Sequence, residues 1–122
     1  MNSFIIRLIL NAVGLWVTTL LPIGIRIGSE NYLVTLLVVA LIFGIVNALV
    51  KPILTILTLP LTIITLGIFL LVINALMLLL TDFIARAVGL NFRVDGFVAA
   101  LLGSIVISIV SFILARVLSD RL

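Results

Sequence analysis

A stretch of 28 residues without a charged side chain, Ile53 to Leu80, constrains this chain more than any other feature. Hydrophobic residues make up 66% of the sequence and charged residues 9%, whereas soluble domains average roughly 45–50% apolar and about 25% charged residues. A soluble domain of 122 residues could not hide so much apolar surface, because small domains bury only about two-thirds of what the unfolded chain exposes. The sequence therefore predicts a single integral membrane domain.

The apolar stretches divide into four expected transmembrane helices. Crossing about 30 Å of hydrocarbon takes about 20 predominantly apolar residues in a helix. By that measure we predict an all-α membrane protein, with the first helix retained in the membrane because no small-residue cleavage site follows it. The expected spans are residues 4–21, 33–50, 61–81 and 97–115.

Two prolines decide how the long uncharged stretch is divided. Pro60 would remove a backbone hydrogen bond from a continuous helix, which is costly in lipid, so we place a helix break there. Pro52 is harmless in a first helical turn, and it predicts a short connector helix within residues 52–60. The alternative is one long, proline-kinked helix, which would put four threonines on one face: Thr55, Thr58, Thr62 and Thr65.

The two halves of the sequence resemble each other. Three pairs of segments align: Ile9–Ala12 with Val72–Ala75, Ile25–Ile27 with Phe92–Val94, and residues 33–47 with 97–111. Each unit consists of a span, an outer loop and a second span, so both units enter the membrane from the same side. The repeat predicts two helical hairpins related by a rotation about the membrane normal.

The two outer loops carry short patterns with a period of two, at Ile23–Gly28 and Leu90–Asp95. This alternation is typical of strands. Because both loops lie on the same side, we predict that two short extended segments pair there, either within one chain or between protomers. Near the same side, Asp82 and Arg86 have the i, i+4 spacing of a helical ion pair.

The residue types that the chain lacks, and the scatter of its basic residues, exclude several classes of function. The chain has no histidine, no cysteine and four acidic residues, which excludes Cys/His metal sites and thiol or imidazole chemistry. We therefore predict no cofactor and no enzymatic activity. Basic residues occur singly and form no patch for a nucleic acid. A weak excess of them favours both termini on the cytoplasmic side of the membrane. The cytoplasmic side would carry Arg7, Lys51, Arg116 and Arg121, against Arg26, Arg86 and Arg93 on the outer side.

Small and polar residues recur within the predicted spans. They comprise three asparagines, a serine stripe and a line of small residues: Asn11, Asn47 and Asn74; Ser104, Ser108 and Ser111; Ala40, Gly44 and Ala48. Small residues let membrane helices approach closely, and amides and hydroxyls hold them together. We interpret these residues as helix-packing or oligomer contacts. The alternative is that the serine stripe lines a wet path in an oligomer.

Four segments resemble a known protein family: Asn47–Leu54, Leu57–Thr62, Thr65–Ala75 and Val94–Gly103. They are similar to those of the mycobacterial four-TMS phage holin superfamily, also called holin-like family 4. The resemblance covers nearly the whole chain, apart from the first outer loop at Gly28–Tyr32. It implies a small bacterial four-helix protein that accumulates in the cytoplasmic membrane and opens lesions for a phage lysin. The resemblance implies no particular functional residues in this chain.

Two functions follow as expectations. The first is a non-enzymatic protein that oligomerises in the cytoplasmic membrane, with holin-type permeabilising activity. The second is a structural or accessory subunit of a larger membrane complex, a role that suits a chain with short loops and apolar helix faces. The expected partners are the lipid bilayer and either further copies of the chain or another membrane protein. Small-solute transport would require a dimer to make room for a central site.

Overall fold

The computed structural model describes residues 2–28 and 31–121, so Ser29 and Glu30 of the first outer loop lie outside the described residues. The described helices are α1 (Asn2–Leu20), α2 (Tyr32–Leu49), α3 (Lys51–Leu57), α4 (Leu59–Ile64), α5 (Phe69–Ala87) and α6 (Gly96–Arg121). Two short strands are β1 (Ile25–Ile27) and β2 (Phe92–Val94). In the described chain, α1, α2 together with α3, α5 and α6 are long and apolar enough to cross a membrane. The predicted all-α fold with four membrane-spanning helices is confirmed.

The four long helices form a closed ring. α1 packs against α2 and α6, and α5 packs against the same two helices from the opposite corner. Consecutive long helices run antiparallel, so α1 and α5 point in one direction while α2 and α6 point in the other. The two strands lie at one end of the bundle, which we call the strand end. The opposite end, where α1 begins and α6 ends, is the terminus end.

The strands form an antiparallel pair within one chain, with Arg26 opposite Arg93. Both arginines are exposed, whereas Ile25, Phe92 and Val94 are buried. The alternation predicted from the two loop sequences is therefore present, and the apolar side chains point into the bundle. The buried Asp82 carboxylate accepts the Val94 backbone N–H at 3.4 Å. It also binds the Arg86 guanidinium at 2.9 Å, which confirms the predicted ion pair and ties β2 to the end of α5.

Two glycines lie where the long helices and β1 pack closely. Gly14 of α1 lies against Ile107 of α6, where an added Cβ would be 3.3 Å from the Ile107 Cα. Gly103 of α6 faces Ile25 and Leu78, and an added Cβ there would collide with the Ile25 Cδ1. Absence of a side chain at these positions lets the helices and β1 approach each other closely.

The connection between α2 and α5 differs from the expected one. α2 runs almost continuously into α3, because Val50 between them keeps a right-handed helical conformation and donates to the Val46 carbonyl. The helix breaks at Thr58, with φ −101° and ψ 11°. Pro52 and Pro60 then occupy the first turns of α3 and α4, where a missing N–H is tolerated.

The expected start of the third span at Leu61 is wrong, since α5 begins at Phe69 and ends at Ala87. α4 ends in a Schellman turn that separates it from α5. The Gly67 N–H donates to the Thr62 carbonyl at 2.8 Å, and the Leu66 N–H donates to the Ile63 carbonyl at 3.1 Å. Leu66 has a φ of 59° and Gly67 a φ of 89°, so the helix cannot continue through them. α6 extends beyond the expected end at Ala115.

Candidate functional site

A polar cavity of about 160 Å³ lies among the four long helices in the half of the bundle nearer the terminus end. We call it the central cavity. Its polar lining comprises Asn11, Asn47, Lys51, Asn74, Ser104, Ser108 and Ser111, and Phe43 and Ile107 complete it. The structure therefore brings together all three asparagines and all three serines that the sequence singled out, contributed by four different long helices.

A larger cavity of about 430 Å³ lies mainly between α1 and α2. We call it the lateral groove. It shares Asn11, Asn47 and Ser111 with the central cavity, so the two spaces adjoin. Its other polar lining residues are Ser3 and Arg7. The remaining wall is apolar or small: Phe4, Leu8, Leu10, Ala40, Leu41, Gly44, Ile45 and Ala48.

The line of small residues on α2 faces α1 within the same protomer. Ala40 is fully buried, and an added Cβ at Gly44 would lie 3.3 Å from the Asn11 Nδ2. Ala48 is exposed at the mouth of the lateral groove. The small-residue line borders the lateral groove and the serine stripe borders the central cavity, and Ser111 lines both spaces.

The polar side chains of the central cavity differ in how their hydrogen bonds are satisfied. The Ser104 hydroxyl is buried and donates to the Ala100 carbonyl of its own helix at 2.7 Å, which is a local packing arrangement. The Asn47 Oδ1 is buried and has no hydrogen-bond donor among the described residues. Leaving a buried acceptor unpaired costs roughly 1–3 kcal/mol. A donor from water or from a ligand would remove that cost.

Lysine and arginine supply the only formal charge in the described lining of these spaces. Arg7 borders the lateral groove and Lys51 the central cavity, and neither described lining contains a carboxylate. No group of three metal-ligating side chains occurs among the described residues. The arrangement can hold water, neutral polar molecules or anions.

The central cavity does not continue through the bundle to the strand end. Beyond it, Leu15, Met77 and Leu78 are each at most 1% exposed. Ile25 and Phe92 of the strands are buried to the same extent and close the end of the bundle. A single protomer in this conformation therefore contains a polar cavity on one side of an apolar seal, rather than a continuous pore.

Sequence reasoning missed the two basic residues of the site. We used Arg7 and Lys51 only to predict the orientation of the chain in the membrane. Their spacing contained the relevant information, because Arg7 precedes Asn11 by four residues and Lys51 follows Asn47 by four. Residues at i and i+4 share a helix face, so each basic side chain continues the line of an asparagine that the sequence had already singled out.

Comparison with known proteins places the chain in a family. The profile described as "Mycobacterial 4 TMS phage holin, superfamily IV" matches residues 2–113. An uncharacterized protein of Streptomyces coelicolor is 48% identical over 98% of this chain and 98% of its own length. The uncharacterized membrane protein YvlD of Bacillus subtilis is 41% identical over 66% of this chain and 65% of its own length. No solved structure is significantly similar. The chain therefore belongs to the mycobacterial 4 TMS phage holin superfamily IV.

Proposed function

We propose that this holin-like protein is a non-enzymatic oligomer that permeabilises the cytoplasmic membrane, with the central cavity forming part of the water-filled path. The observation that carries the proposal is the convergence of polar side chains from all four long helices on one cavity. Polar groups within membrane spans are costly unless they are paired or hydrated. Their concentration at one place between the long helices favours a hydrated site.

The apolar seal determines how such a path would open. Because Leu15, Met77 and Leu78 close the bundle beyond the cavity, permeation requires the helices to separate or protomers to combine their cavities. Most of the outward-facing residues of the long helices are large and apolar, such as Val34, Phe83 and Phe112. These surfaces suit both lipid and the close association of copies in the membrane. Permeabilisation is therefore expected to depend on the density of protomers.

Reconstitution into vesicles tests this proposal directly. The protein is expected to release a small trapped dye, with a rate that rises more steeply than linearly with the number of protomers per vesicle. In cells, induced expression is expected to dissipate the membrane potential. Native mass measurement in mild detergent is expected to show a homo-oligomer. Tight vesicles at every protein density, together with an unchanged membrane potential, would reject the proposal.

A matched pair of variants on α5 connects the leakage to the cavity. Asn74→Leu removes a polar group from the lining of the central cavity and is expected to slow dye release. Leu76→Met changes an exposed side chain of the same helix and is expected to leave release unchanged. Equal release from both variants would place the path outside the central cavity.

The alternative function, an accessory subunit, is favoured by the segment between α2 and α5. The described side chains of α3 include no buried residue, and Leu57, Ile64 and Leu66 are 71%, 76% and 91% exposed. An apolar surface of this kind suits contact with another membrane protein as well as with lipid. Stoichiometric recovery of one partner protein in mild detergent, with no leakage from vesicles, would favour the accessory role.

A further inference from the structure

We propose that the lateral groove binds one anionic phospholipid, with the lipid phosphate at Arg7 and an acyl chain along the apolar wall between α1 and α2. This inference goes beyond permeabilisation, since lipid binding requires neither a pore nor an oligomer. It rests on the shape, the lining and the charge of a cavity that lies within one protomer.

The polar end of the groove has the donors that a phosphate needs. Ser3, Arg7 and Asn11 follow one another at intervals of four residues on α1 and all line the groove. At a rise of about 1.5 Å per residue, each interval corresponds to about 6 Å along the helix. The Arg7 guanidinium carries five N–H donors in a planar fork that matches phosphate oxygens. A hydroxyl and an amide lie on either side of it along the same face.

The rest of the groove suits a hydrocarbon chain. Its wall includes Leu8, Leu41 and Ile45, and the last two are 36% and 46% exposed. The groove therefore extends from the outer, lipid-facing surface of the bundle toward the central cavity. A volume of about 430 Å³ falls within the usual range of roughly 300–1,000 Å³ for ligand pockets. An acyl chain can enter sideways from the bilayer without crossing an aqueous phase.

Charge complementarity selects an anionic lipid as the occupant. Arg7 lies within the candidate span Ser3–Leu20, and no carboxylate belongs to the described lining of the groove. The acids Asp82 and Asp95 are at the strand end, where they bind Arg86 and Arg26. Basic side chains within membrane spans usually pair with an acceptor. A lipid phosphodiester is such an acceptor, a lipid with a net negative charge is attracted to Arg7 more strongly than a zwitterionic one, and basic pockets between membrane helices bind lipid headgroups in this way.

Native mass spectrometry of the full-length protein in detergent tests the proposal. The protein is titrated with phosphatidylglycerol and with phosphatidylcholine of identical acyl chains. One phosphatidylglycerol per protomer is expected, bound about fivefold more tightly than phosphatidylcholine, because both lipids offer a phosphodiester to Arg7 but the choline ammonium cancels the net negative charge of phosphatidylcholine. Equal affinity for the two lipids would overturn the proposal.

Three variants and a competitor identify the site. Arg7→Gln is expected to weaken phosphatidylglycerol binding about tenfold, whereas Arg93→Gln, the same change at the exposed strand end, is expected to leave it unchanged. Ala48→Phe keeps the Arg7 charge and fills the mouth of the groove, so binding is expected to fall. Excess inorganic phosphate is expected not to displace the lipid. Unchanged binding by Arg7→Gln or Ala48→Phe, or displacement by phosphate alone, would contradict a lipid in the groove.

Folding and leakage are measured separately from lipid binding. Arg7 and Ala48 are both exposed, so the variants are expected to retain the melting temperature of the unaltered protein. Should Ala48→Phe fail to fold, the comparison of Arg7→Gln with Arg93→Gln still decides the proposal. A protein that binds phosphatidylglycerol at Arg7 but leaves vesicles tight would reject permeabilisation alone. Leaky vesicles without selective lipid binding would reject the lipid site alone.

Discussion

Arg26 and Arg93 lie directly opposite each other at the centre of the antiparallel strand pair. They are also equivalent residues in the sequence repeat, so a two-fold rotation through this pair exchanges β1 with β2. The flanking hydrogen bonds follow the same rotation, with the Gly28 N–H bound to the Asn91 carbonyl and the Asp95 N–H bound to the Gly24 carbonyl. A strand register with this symmetry supports the proposal that the two halves are related by a rotation.

Equivalent residues within the bundle also share their environments. Leu15 and Leu78, which match in the repeat, are both fully buried. Asn11 and Asn74 both line the central cavity, as do Asn47 and Ser111. The contacts that close the ring of helices likewise place α1 and α5 at opposite corners. These relations support a rotation axis that runs along the bundle, through the central cavity and the strand pair.

A cysteine pair tests the strand register. Residues directly opposite in an antiparallel pair have Cα atoms about 4.5–5.5 Å apart, which falls within the roughly 4.4–6.8 Å that a disulfide spans. The double variant Arg26→Cys/Arg93→Cys is expected to form an intramolecular disulfide under oxidising conditions. The natural chain has no cysteine, so intact mass before and after reduction reports this bond alone.

The matched control shifts the pair by two residues. In Arg26→Cys/Asn91→Cys the two positions are diagonal neighbours, about 7–8 Å apart, and are expected to form little disulfide. Covalent dimers from Arg26→Cys/Arg93→Cys would instead indicate that the strands pair between protomers.

The two strands show how much of this fold the alternation of apolar residues and the sequence repeat could predict. Alternation at residues 25–27 and 92–94 was sufficient to predict two extended segments. The sequence left open whether they pair within a chain, because that depends on where the ring of helices brings the two loops. The hydrogen bond that the Val94 N–H donates to the Asp82 carboxylate, which ties β2 to α5, does not follow from any spacing along the chain.

Gly103 is expected to tolerate alanine poorly. A Cβ at this position would collide with the Ile25 Cδ1 and lie 3.0 Å from the Leu78 Cδ2, and both side chains are buried. Overpacking of this kind costs about 1–3 kcal/mol. Gly103→Ala should therefore lower the melting temperature in detergent, measured by circular dichroism.

Removing the colliding atom provides the control for Gly103. Ile25→Val deletes the Cδ1, so the double variant Gly103→Ala/Ile25→Val is expected to be more stable than the sum of the two single changes implies. Strict additivity would show that β1 does not pack against α6 at this glycine.

Leu66 is expected to limit stability because it holds a left-handed conformation with a φ of 59°. Residues with a side chain pay roughly 1–2 kcal/mol there, and the Leu66 side chain is 91% exposed, so truncation removes few contacts within the protomer. After the greater flexibility of glycine in the unfolded chain is included, Leu66→Gly should raise the free energy of unfolding by up to about 1 kcal/mol. Denaturant titration in mixed micelles measures it.

Ile68→Gly is the matched control, since Ile68 is 65% exposed but has an ordinary φ of −59°. It is expected to destabilise the protein by about 0.5–1 kcal/mol. Equal destabilisation by both changes would mean that the Leu66 side chain contacts another protein or copy, as the accessory role requires.

The predicted start of the third span was wrong for a local reason that is visible in the sequence. We placed the start of the third span at Leu61, directly after Pro60, but Pro60 lies in the first turn of the six-residue helix α4. Gly67 was the overlooked residue, because a glycine just beyond a helical segment is typical of a helix end. The hydropathy pattern could not reveal this helix end, since the sequence is apolar on both sides of the turn. The lateral groove was equally inaccessible, because it depends on how α1 and α2 pack.

The proposed orientation predicts different labelling at the two ends of the bundle. Arg93 is exposed at the strand end and Arg116 near the terminus end. Arg93→Cys should react with a membrane-impermeant maleimide added to intact cells or protoplasts, because the strand end is expected outside. Arg116→Cys should react only after the membrane is opened. Reversed labelling would place both termini outside.

The serine stripe is expected to divide into a packing residue and a cavity residue. Ser104 is 3% exposed and bonds to its own helix, so Ser104→Leu should overpack the bundle and lower stability by about 1–3 kcal/mol. Ser108 lines the central cavity and is exposed. A leucine at that position can extend into open space without forcing the helices apart.

Ser108→Leu should therefore preserve the melting temperature and the oligomer mass while slowing dye release from vesicles. Ser108→Ala, which removes the hydroxyl but adds no bulk, should retain most of the release, because the neighbouring asparagines still hydrate the cavity. If Ser108→Leu dissociates the oligomer, Ser108 lies in an interface between protomers, and the stripe serves association rather than permeation. If neither mass nor release changes, the serine belongs to neither the interface nor the path, and permeabilisation must proceed along a surface outside the bundle.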